Sequence, residues 1–369
     1  MKIVYVVEQF YLHGGIEKIT AEKVNWLASK GHEVYLISNQ QFDKPLVYLL
    51  DDKVIFLDLK INYISGKSYF YPTNLCKVPK HFSKLKKELK KIKPDIAVIT
   101  SLQFDFYFLP FISNFKTIRE HHASRYFFTK EWLKKQSIAK RFKYKVNHWI
   151  EGKYSHNLVL TKDELQHYNV KNISVIPNSI KIRKKLKTDL DNKTVISAGR
   201  IAPVKGFEKL IEAWQIVAKN HADWKLNIYG DGDVKYKKIL QNKIDVLHLQ
   251  HQICLCGQTD DLEEKLCKSS IYAMSSKTEC FPMVLLEAQA VGLPVVSFNC
   301  PYGPKNIITE GQDGLLVKDQ SVEALANALL KLISNNVLRE NMGKQGFLNS
   351  IAYDVNNIME KHLQLFKNI

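Results

Sequence analysis

The chain has 369 residues, of which 45% are hydrophobic and 25% charged, a composition that excludes a mainly disordered protein. Its length predicts two or three domains, and no apolar run reaches the roughly 18 residues of a membrane-spanning helix. The net charge is +17, and residues 1–176 carry most of it, with 29 basic and 16 acidic residues against 25 and 21 in the remainder. This balance predicts an anionic partner, which could be nucleic acid, a membrane surface or a phosphate-bearing substrate.

Features that direct a protein out of the cytoplasm are not found in the sequence. The apolar segment IVYVV near its start is too short for the core of a signal peptide. The six cysteines include no Cys-x-x-Cys pair and no Cys/His spacing typical of zinc sites. We therefore expect a cytoplasmic protein with reduced thiols.

Short β-branched segments alternate with helical patterns along the whole chain. The predicted strands are KIVYVV, EVYLIS, VIFLD, DIAVIT, NLVLT and ISVI, followed by TVISAG, KLNIYG, QICLCG, IYAMS, PVVSF and GLLV. The predicted helices cover residues 16–29, 81–92, 206–218, 262–267, 283–291 and 322–332. Continuous apolar strands separated by helices are typical of parallel sheets covered on both faces. Because about a dozen strands exceed one comfortable sheet, we predict an α/β fold with two doubly wound, Rossmann-like domains.

A domain boundary is predicted at VIPNSI, where a strand ends at a Pro-Asn turn. The polar, basic run 181–192 that follows is typical of a linker. Residues 354–366 have a helical pattern and come after the second sheet should be complete.

The most informative segment is TECFPMVLLEAQAVGLPVVSF. Its predicted helix is apolar nearly all round, which indicates burial, and Glu287 lies in its middle. A buried carboxylate needs a partner, either a structural ion pair or the hydroxyls of a ligand. Glu279 lies in the preceding loop, at the strand end where ligands bind in doubly wound sheets. The loop and helix N-terminus also offer N–H groups to an anion, so we predict a ligand with both hydroxyls and phosphates.

Two cations follow another predicted strand, in SAGRIAPVKGFEKL. The strand ends at Gly199, and Arg200 and Lys205 precede a helix that begins near Gly206. Two cations beside a helix N-terminus can hold a pyrophosphate without a metal, although a solvated basic turn is the simpler alternative.

The segment Gly230–Asp231–Gly232–Asp233 also follows a strand. It could be an Asp-x-Asp metal site, but we favour a tight turn whose backbone approaches the ligand. The two cations already supply the charge that a metal would provide, so we expect no metal. The absence of a Gly-x-Gly-x-x-Gly motif weakens a dinucleotide-binding interpretation.

The first half contains two weaker candidates. Gly14 and Gly15 lie in the first strand-to-helix loop, where they either admit a ligand to the backbone or form a flexible connection. The segment IREHHASRY places Glu120, His121 and His122 just after a predicted strand, which makes them candidate site residues. Metal binding there is less favoured because no third ligand follows at helical spacing.

Two basic stretches cover residues 77–93 and 130–145, and the second interleaves its cations with Trp132, Phe142 and Tyr144. They form either solvated helix faces or a surface that meets anionic lipid. Nucleic-acid binding is the least favoured because no recognition motif accompanies the charge.

These motifs together resemble the family 4 retaining glycosyltransferases of GT-B fold, over nearly the whole chain. The resemblance rests on the two glutamates in their context, on Gly199–Arg200 with Lys205–Gly206, and on the Gly14–Gly15 loop. The segment CPYGPKNIITEGQDGLLV is similar to the subgroup that builds bacterial capsule, O-antigen and related surface glycans. The resemblance implies two Rossmann-like domains facing a cleft. Residues 1–176 and 354–369 would bind the acceptor, and residues 177–353 would bind the nucleotide sugar.

The resemblance also implies the role of each site residue. Arg200 and Lys205 would hold the donor pyrophosphate, and Glu287 would receive the ribose hydroxyls. Glu279 would receive hydroxyls of the transferred sugar. The remaining implied contacts are the backbone of Phe281, Pro282 and Met283 with the sugar, Gly15 with the diphosphate, and His121 with the sugar from the first domain.

The implied function is metal-independent transfer of a hexose or N-acetylhexosamine from a nucleotide diphosphate sugar, with retention of configuration, and the subgroup resemblance implies a UDP-linked donor. The acceptor would be lipid-linked or a glycan, the only cofactor-like molecule would be the nucleotide sugar, and the enzyme would work at the inner face of the membrane. One alternative is a peripheral lipid- or polyanion-binding protein with a decayed site. Another is a different GT-B enzyme, such as a sugar-nucleotide epimerase.

Overall fold

The computed structural model describes residues 1–64, 66–101, 103–112, 114–126, 134–182 and 188–369. These residues divide into two compact units. The N-terminal unit comprises Met1–Ser179 and Val355–Ile369, and the C-terminal unit comprises Ile180–Asp354. Part of the predicted linker, and Trp132 in the second basic stretch, lie outside the described residues.

The N-terminal unit is built on a parallel sheet. Its strands are β1 (Lys2–Val7), β2 (Glu33–Ser38), β3 (Val54–Asp58), β4 (Ile96–Ile99), β5 (Lys116–His121), β6 (His156–Val159) and β7 (Ile173–Val175). Their order in the sheet is β3-β2-β1-β4-β5-β6-β7. The order reverses where β1 pairs with β4, and ligands bind beyond the carboxyl ends of such a strand pair in open α/β sheets.

Helices cover both faces of this sheet. They are α1 (Gly15–Ser29), α2 (Pro72–Leu75), α3 (Val78–Ile92), α4 (Phe104–Phe108) and α5 (Ile138–Glu151). Along β1, Ile3, Tyr5 and Val7 belong to the apolar core on one face, whereas Val4 and Val6 belong to the core on the other. Burial on both faces explains why the strand is a continuous apolar run.

The C-terminal unit repeats this arrangement. Its strands are β8 (Thr194–Ala198), β9 (Lys225–Tyr229), β10 (Ile253–Gly257), β11 (Ile271–Met274), β12 (Val295–Phe298) and β13 (Gly314–Val317). They form a parallel sheet in the order β10-β9-β8-β11-β12-β13. Its helices are α6 (Phe207–Ala218), α7 (Val234–Val246), α8 (Leu262–Cys267), α9 (Met283–Ala290), α10 (Val322–Ile333) and α11 (Asn336–Ser350).

The last helix, α12 (Val355–Asn368), belongs to the N-terminal unit and packs on α1. Its apolar face joins the core beneath α1 through Ile358, Met359, Leu363 and Phe366. Trp26 Nε1 on α1 also donates to Asn356 Oδ1 at 2.8 Å. The apolar face of this amphipathic helix is therefore buried within the N-terminal unit.

The two parallel α/β sheets confirm the predicted fold class, but β5 was absent from the predicted apolar runs and was implied only by the candidate segment at Glu120. Every residue from Thr117 to His121 is at most 5% exposed, although three of the five are charged or titratable. Each finds its partner on a distant segment: Arg119 donates to the Ile99 carbonyl oxygen, and Glu120 pairs with Lys23. The prediction that Glu120 and His121 follow a strand is wrong, because they are its last two residues.

The helices α5, α7 and α11 were also not predicted, whereas the other long helices were predicted to within a few residues. Among the described residues, the structure contains no helix long and apolar enough to cross a membrane.

Candidate functional site

The loop of residues 199–206, which joins β8 to α6, carries both predicted cations. Pro203–Lys205 form one turn of 3₁₀ helix, and Gly206 has a left-handed backbone with a φ of 63°. A Cβ atom at Gly206 would overlap the carbonyl oxygen of Ser275, just after β11. The Ser275 hydroxyl donates to the Lys205 carbonyl oxygen at 3.0 Å. Glycine at 206 therefore allows this loop to lie against the end of β11.

Lys205 and Glu279 form an ion pair at this strand end. Lys205 Nζ lies 2.6 Å from Glu279 Oε1, and the two side chains are 25% and 14% exposed. The backbone of Glu279 is held by a bridge to Tyr302, which follows β12. The two charges neutralise each other but stay partly accessible, so an anionic ligand can compete for Lys205.

Arg200 lies on the same loop and is exposed. Within the described ranges it makes no hydrogen bond or ion pair. The Lys205 side chain folds back over Gly199, where a Cβ atom would lie 3.4 Å from Lys205 Cε. The two cations are thus neighbours, and one of them is free to bind an anion.

Glu287 lies near the same strand end. The hydroxyl of buried Tyr272 on β11 donates to the Ala198 carbonyl oxygen at 3.2 Å. Burial raises the pKa of Tyr272, and the hydrogen bond to Ala198 offsets part of this rise. The negative charges of Glu279 and Glu287 raise the pKa further. Both carboxylates are therefore within electrostatic reach of the end of β8.

The prediction that Glu287 is buried is wrong. Leu285 and Leu286 are fully buried, but Met283, Val284 and Glu287 are partly exposed. Helix α9 packs on α11 and on strands β11 and β12, and this contact covers only part of its circumference. A ligand can therefore reach Glu287 from solvent.

The N-terminus of α9 carries the predicted backbone contacts. Phe281 and Pro282 are buried and Met283 is partly exposed. The N-cap is Pro282, so no side chain caps the first N–H groups of the helix. An uncapped helix N-terminus attracts negative charge.

The turn at Gly230–Gly232 is pressed against the cation-bearing loop. A Cβ atom at Gly230 would overlap the Gly199 carbonyl oxygen, and one at Gly232 would overlap that of Ile201. The Asp233 side chain caps α7 by accepting from Tyr236 N at 2.7 Å. These contacts are typical of a close-packed turn. No group of three or more His, Cys, Asp or Glu side chains in the described part of the chain is arranged to hold a metal.

Gly15, the first residue of α1, lies in the N-terminal unit. It is exposed, and a Cβ atom there would meet no other atom within 4 Å. Gly14 is the N-cap of the helix and has no side chain to cap it. Nothing inside the unit therefore requires glycine at position 15.

His121 is buried at the end of β5. Its Nε2 lies 3.2 Å from Asn157 Oδ1, and its ring packs edge-on against Tyr168. Burial, followed by the charges of Arg119 and Arg125, lowers the pKa of His121. His121 and Gly15 belong to the N-terminal unit, whereas the cations and carboxylates above belong to the C-terminal unit.

Sequence reasoning missed a buried charge cluster around Glu120. Its carboxylate lies 2.8 Å from Lys23 Nζ, 3.1 Å from His122 Nε2 and 3.8 Å from His362 Nδ1. Burial alone would raise the pKa of Glu120, but Lys23 and the two histidines hold it below its usual range. The signal was available, because Lys23 shares the core-facing side of α1 with Val24.

This cluster predicts that acid destabilises the N-terminal unit. Burial and the charge of Lys23 lower the pKa of His362 to about 3, whereas an unfolded histidine takes up its proton near 6.5. The unfolded chain therefore binds more protons between these values, and Glu120 acts in the same direction at lower pH. We expect His362 to remove on the order of 1–2 kcal/mol of unfolding free energy between pH 7 and pH 5.

Denaturant unfolding at several pH values measures this slope. The variant His362→Gln should flatten it, while His251→Gln, at an exposed site in the other unit, should not. An unchanged slope in His362→Gln would contradict the assignment.

Comparison with solved structures places this fold in a known class. Sucrose-phosphate synthase from Thermosynechococcus elongatus superposes with a TM-score of 0.82 at 18% identity, over 100% of this chain and 99% of the other. HepE from Anabaena, solved in complex with UDP and glucose, superposes with a TM-score of 0.79 at 18% identity, over 100% of both chains. These likenesses identify the fold as GT-B.

Sequence comparison identifies the family. Residues 178–348 match the group 1 glycosyl transferases, and residues 13–184 match Glycosyltransferase Family 4. An uncharacterized glycosyltransferase of Haemophilus influenzae is 30% identical over 98% of both chains. The chain therefore belongs to the group 1, family 4 glycosyltransferases.

Another relative, which matches over a shorter stretch, has a stated activity. The poly(ribitol-phosphate) alpha-N-acetylglucosaminyltransferase of Staphylococcus aureus is 31% identical over 57% of this chain. The match spans only 43% of that enzyme's length. Other relatives include an amylovoran biosynthesis glycosyltransferase of Erwinia amylovora, 35% identical over 45% of this chain and 46% of its own length. The family is thus one that includes enzymes of polysaccharide biosynthesis.

Proposed function

We propose that this chain moves a hexose or N-acetylhexosamine from a nucleoside diphosphate sugar, UDP-linked, to a lipid-linked or glycan acceptor, with retention of configuration. The observation that carries the proposal is the Lys205–Glu279 pair. It joins a cation suited to a diphosphate with a carboxylate suited to sugar hydroxyls, at the strand end where ligands bind in this class of sheet. No metal or resident cofactor is part of the proposal.

The names of similar proteins support the choice of substrates. The Staphylococcus relative is named for transfer of N-acetylglucosamine to a phosphate-containing polymer. HepE was solved with UDP and glucose. The first name agrees with an N-acetylhexosamine and a polymer acceptor, and the second agrees with a uridine nucleotide and a hexose.

The proposed chemistry follows the charge that develops during transfer. As the bond between sugar and phosphate breaks, negative charge grows on the diphosphate and positive charge on the anomeric carbon. Arg200, Lys205 and the N-terminus of α9 would stabilise the leaving diphosphate. When the diphosphate engages Lys205, Glu279 is released to accept hydroxyls of the transferred sugar. Glu287 would accept the ribose hydroxyls.

Two residues of the N-terminal unit complete the proposed assignment. Gly15 would let the diphosphate approach the start of α1, because no packing fills the space at its Cβ position. His121 would contact the transferred sugar. Its lowered pKa keeps the ring neutral, so it offers a hydrogen bond and not a charge. Asn157 engages Nε2, which leaves Nδ1 as the nitrogen assigned to the sugar.

Acceptor-dependent release of UDP tests the proposed reaction. The purified chain is supplied with UDP-glucose or UDP-N-acetylglucosamine, with and without a total lipid-linked glycan fraction. We expect UDP to appear faster when the acceptor fraction is present. Conversion of the donor to an epimer without release of UDP would instead identify an epimerase. Binding of vesicles or polyanions with no turnover of any nucleotide sugar would identify a decayed site.

We also propose contact with anionic membrane through the N-terminal unit. Helix α5 exposes Ile138, Phe142 and Trp149, which lie on one face at helical spacing. Exposed cations of α5 border this face, among them Arg141 and Lys145. An exposed apolar stripe bordered by cations is typical of helices that lie in a lipid interface.

Vesicle flotation tests this contact. The chain should float with vesicles that contain phosphatidylglycerol, and raising the salt from about 0.05 to 0.5 M should weaken binding severalfold, because surface charges are screened. The double variant Phe142→Ser, Trp149→Ser should bind at least tenfold more weakly, whereas Val246→Ser, an exposed apolar position of the other unit, should bind normally. Equal flotation with neutral vesicles would contradict the proposal.

A further inference from the structure

The N-terminal unit contains a cavity of about 270 Å³ that none of the roles above uses. It lies beside the loop that follows β4, one of the two strands at which the sheet order reverses. Its lining combines aromatic rings, one amide and two ammonium groups: Phe70, Phe104, Tyr107, Gln103, Lys67 and Lys143. Its volume lies near the lower end for ligand pockets, about 300 Å³, and suits one sugar ring with a substituent.

The rings form a connected wall. Phe104 packs at 5.7 Å from Phe70 and at 6.4 Å from Tyr107, measured between ring centroids. Tyr69, which also lines the cavity, is held by a 2.5 Å hydrogen bond from its hydroxyl to Glu8, after β1. The wall is therefore anchored to the carboxyl ends of the sheet and offers flat apolar faces of the kind on which sugar rings stack.

A chain of buried polar contacts, made of hydrogen bonds and one close His–Asp pair, leads to the same cavity. The Tyr63 hydroxyl lies 2.9 Å from His81 Nδ1, and His81 Nε2 lies 2.6 Å from Asp105 Oδ1. Asn39 Nδ2 donates both to Asp105 and, at 3.0 Å, to Gln103 Oε1. All five residues are at most 2% exposed, so the network is rigid and holds the Gln103 amide in one orientation.

That orientation leaves a donor unused. Because Gln103 Oε1 accepts from Asn39, its Nε2 is the donor end, and it has no hydrogen-bond partner among the described residues. Buried polar groups in folded proteins are normally satisfied. Nε2 is, however, closed off from solvent, so we assign Gln103 to the support of the cavity wall and not to a contact with a ligand.

The charge at the cavity is positive. Lys143 Nζ lies 4.6 Å above the Phe70 ring. Lys67 lines the cavity from the same loop as Phe70. Both lysines are exposed, and none of the described residues that line the cavity carries a carboxylate. Two ammonium groups beside an aromatic wall suit an anionic group attached to an apolar ring face.

We infer that this cavity binds an acidic sugar, that is, a sugar ring carrying a phosphate or a carboxylate, as part of the acceptor. The inference rests on the proposed transferase function, because the acidic sugar is an acceptor only if this chain transfers sugar. Binding of the acidic sugar itself does not require transfer. The cavity selects for the anion through Lys67 and Lys143 and for the ring through Phe70, Phe104 and Tyr107.

Equilibrium binding without any donor tests the inference on the full chain. Three probes are titrated: methyl glucoside 6-phosphate, methyl glucuronide and neutral methyl glucoside. We expect the first, the second or both to bind at least tenfold more tightly than the neutral glycoside. The two acidic probes distinguish a phosphorylated from a carboxylated acceptor.

Matched variants locate the binding. The double variant Lys67→Ala, Lys143→Ala and the single variant Phe70→Ala should each weaken binding of the acidic probe at least tenfold. The controls Lys140→Ala and Phe142→Ala change an exposed cation and an exposed ring of the same helix that do not line the cavity, and they should bind as the parent does. All five sites are on the surface, and thermal unfolding checks that each variant folds.

The donor-site variant Lys205→Ala separates the two proposals. It should bind the acidic probe normally even though its transfer is impaired. Loss of probe binding in Lys205→Ala, with retention in the cavity variants, would place the probe at the donor site and overturn the inference while leaving the transferase proposal intact. Equal binding of the neutral glycoside would overturn it as well.

Discussion

Replacing Lys205 by alanine is expected to lower turnover about 10²-fold or more at saturating donor, comparable to the loss of one oxyanion-stabilising donor. The charge on the diphosphate grows as the sugar departs, so an ammonium group in contact with it stabilises the transition state more than the bound donor. The loss should therefore fall mainly on kcat. Steady-state rates of UDP release at several donor concentrations separate kcat from KM.

A matched control exists within the same unit. Lys243 pairs with Glu212 on helices α7 and α6, and these side chains are 28% and 38% exposed. Lys243→Ala thus removes a similar ion pair away from the strand ends and should leave kcat unchanged. If Lys205→Ala turned over donor at the parental rate, its assignment to the leaving group would be wrong.

The second large effect is expected at the buried pair of Lys23 and Glu120. The variant Glu120→Leu leaves a buried ammonium group without its carboxylate, which typically costs about 3–5 kcal/mol of unfolding free energy. The double variant Lys23→Met, Glu120→Leu removes both charges, and buried ion pairs can often be replaced by apolar side chains with little loss. We therefore expect the double variant to recover most of the stability.

Denaturant unfolding of the parent, both single variants and the double variant gives the coupling between the two residues. A coupling of several kcal/mol is expected. Additive losses, with the double variant least stable of all, would show that the pair does not stabilise the N-terminal unit as its geometry indicates. His362 contacts the same carboxylate from α12. The experiment therefore also tests whether this contact helps to hold α12 in the N-terminal unit.

Much of the fold could be predicted because its signals are local. Strands such as β1 and β11 are continuous apolar runs, and a parallel sheet with both faces covered requires such runs. The candidate site could be predicted for a related reason. Glu279 and Lys205 each follow a strand, and the carboxyl ends of parallel strands meet at one edge of a sheet.

The features that sequence reasoning missed depend on contacts between distant segments. The apolar pattern did not reveal strand β5 because Arg119 and Glu120 interrupt it. These two buried side chains are stabilised by partners far away in the chain. The exposure of Glu287 depends on which face of α9 packs against α11, and the apolar composition of the helix does not show this. The cavity beside Gln103 is assembled from three separated segments, so no spacing within one motif predicts it.

Binding of nucleotides to the full chain tests the central claim most directly. Thermal unfolding is followed for the parent and for Lys205→Ala in the presence of UDP, GDP and their sugars, since a ligand that binds the folded form raises the melting temperature. The account predicts that UDP raises the melting temperature of the parent by several degrees and that Lys205→Ala largely loses this shift, because free UDP carries the full diphosphate charge that develops in the transition state. No shift with any nucleoside diphosphate at millimolar concentration, or an equal shift in Lys205→Ala, would contradict a diphosphate site at Lys205 and Glu279.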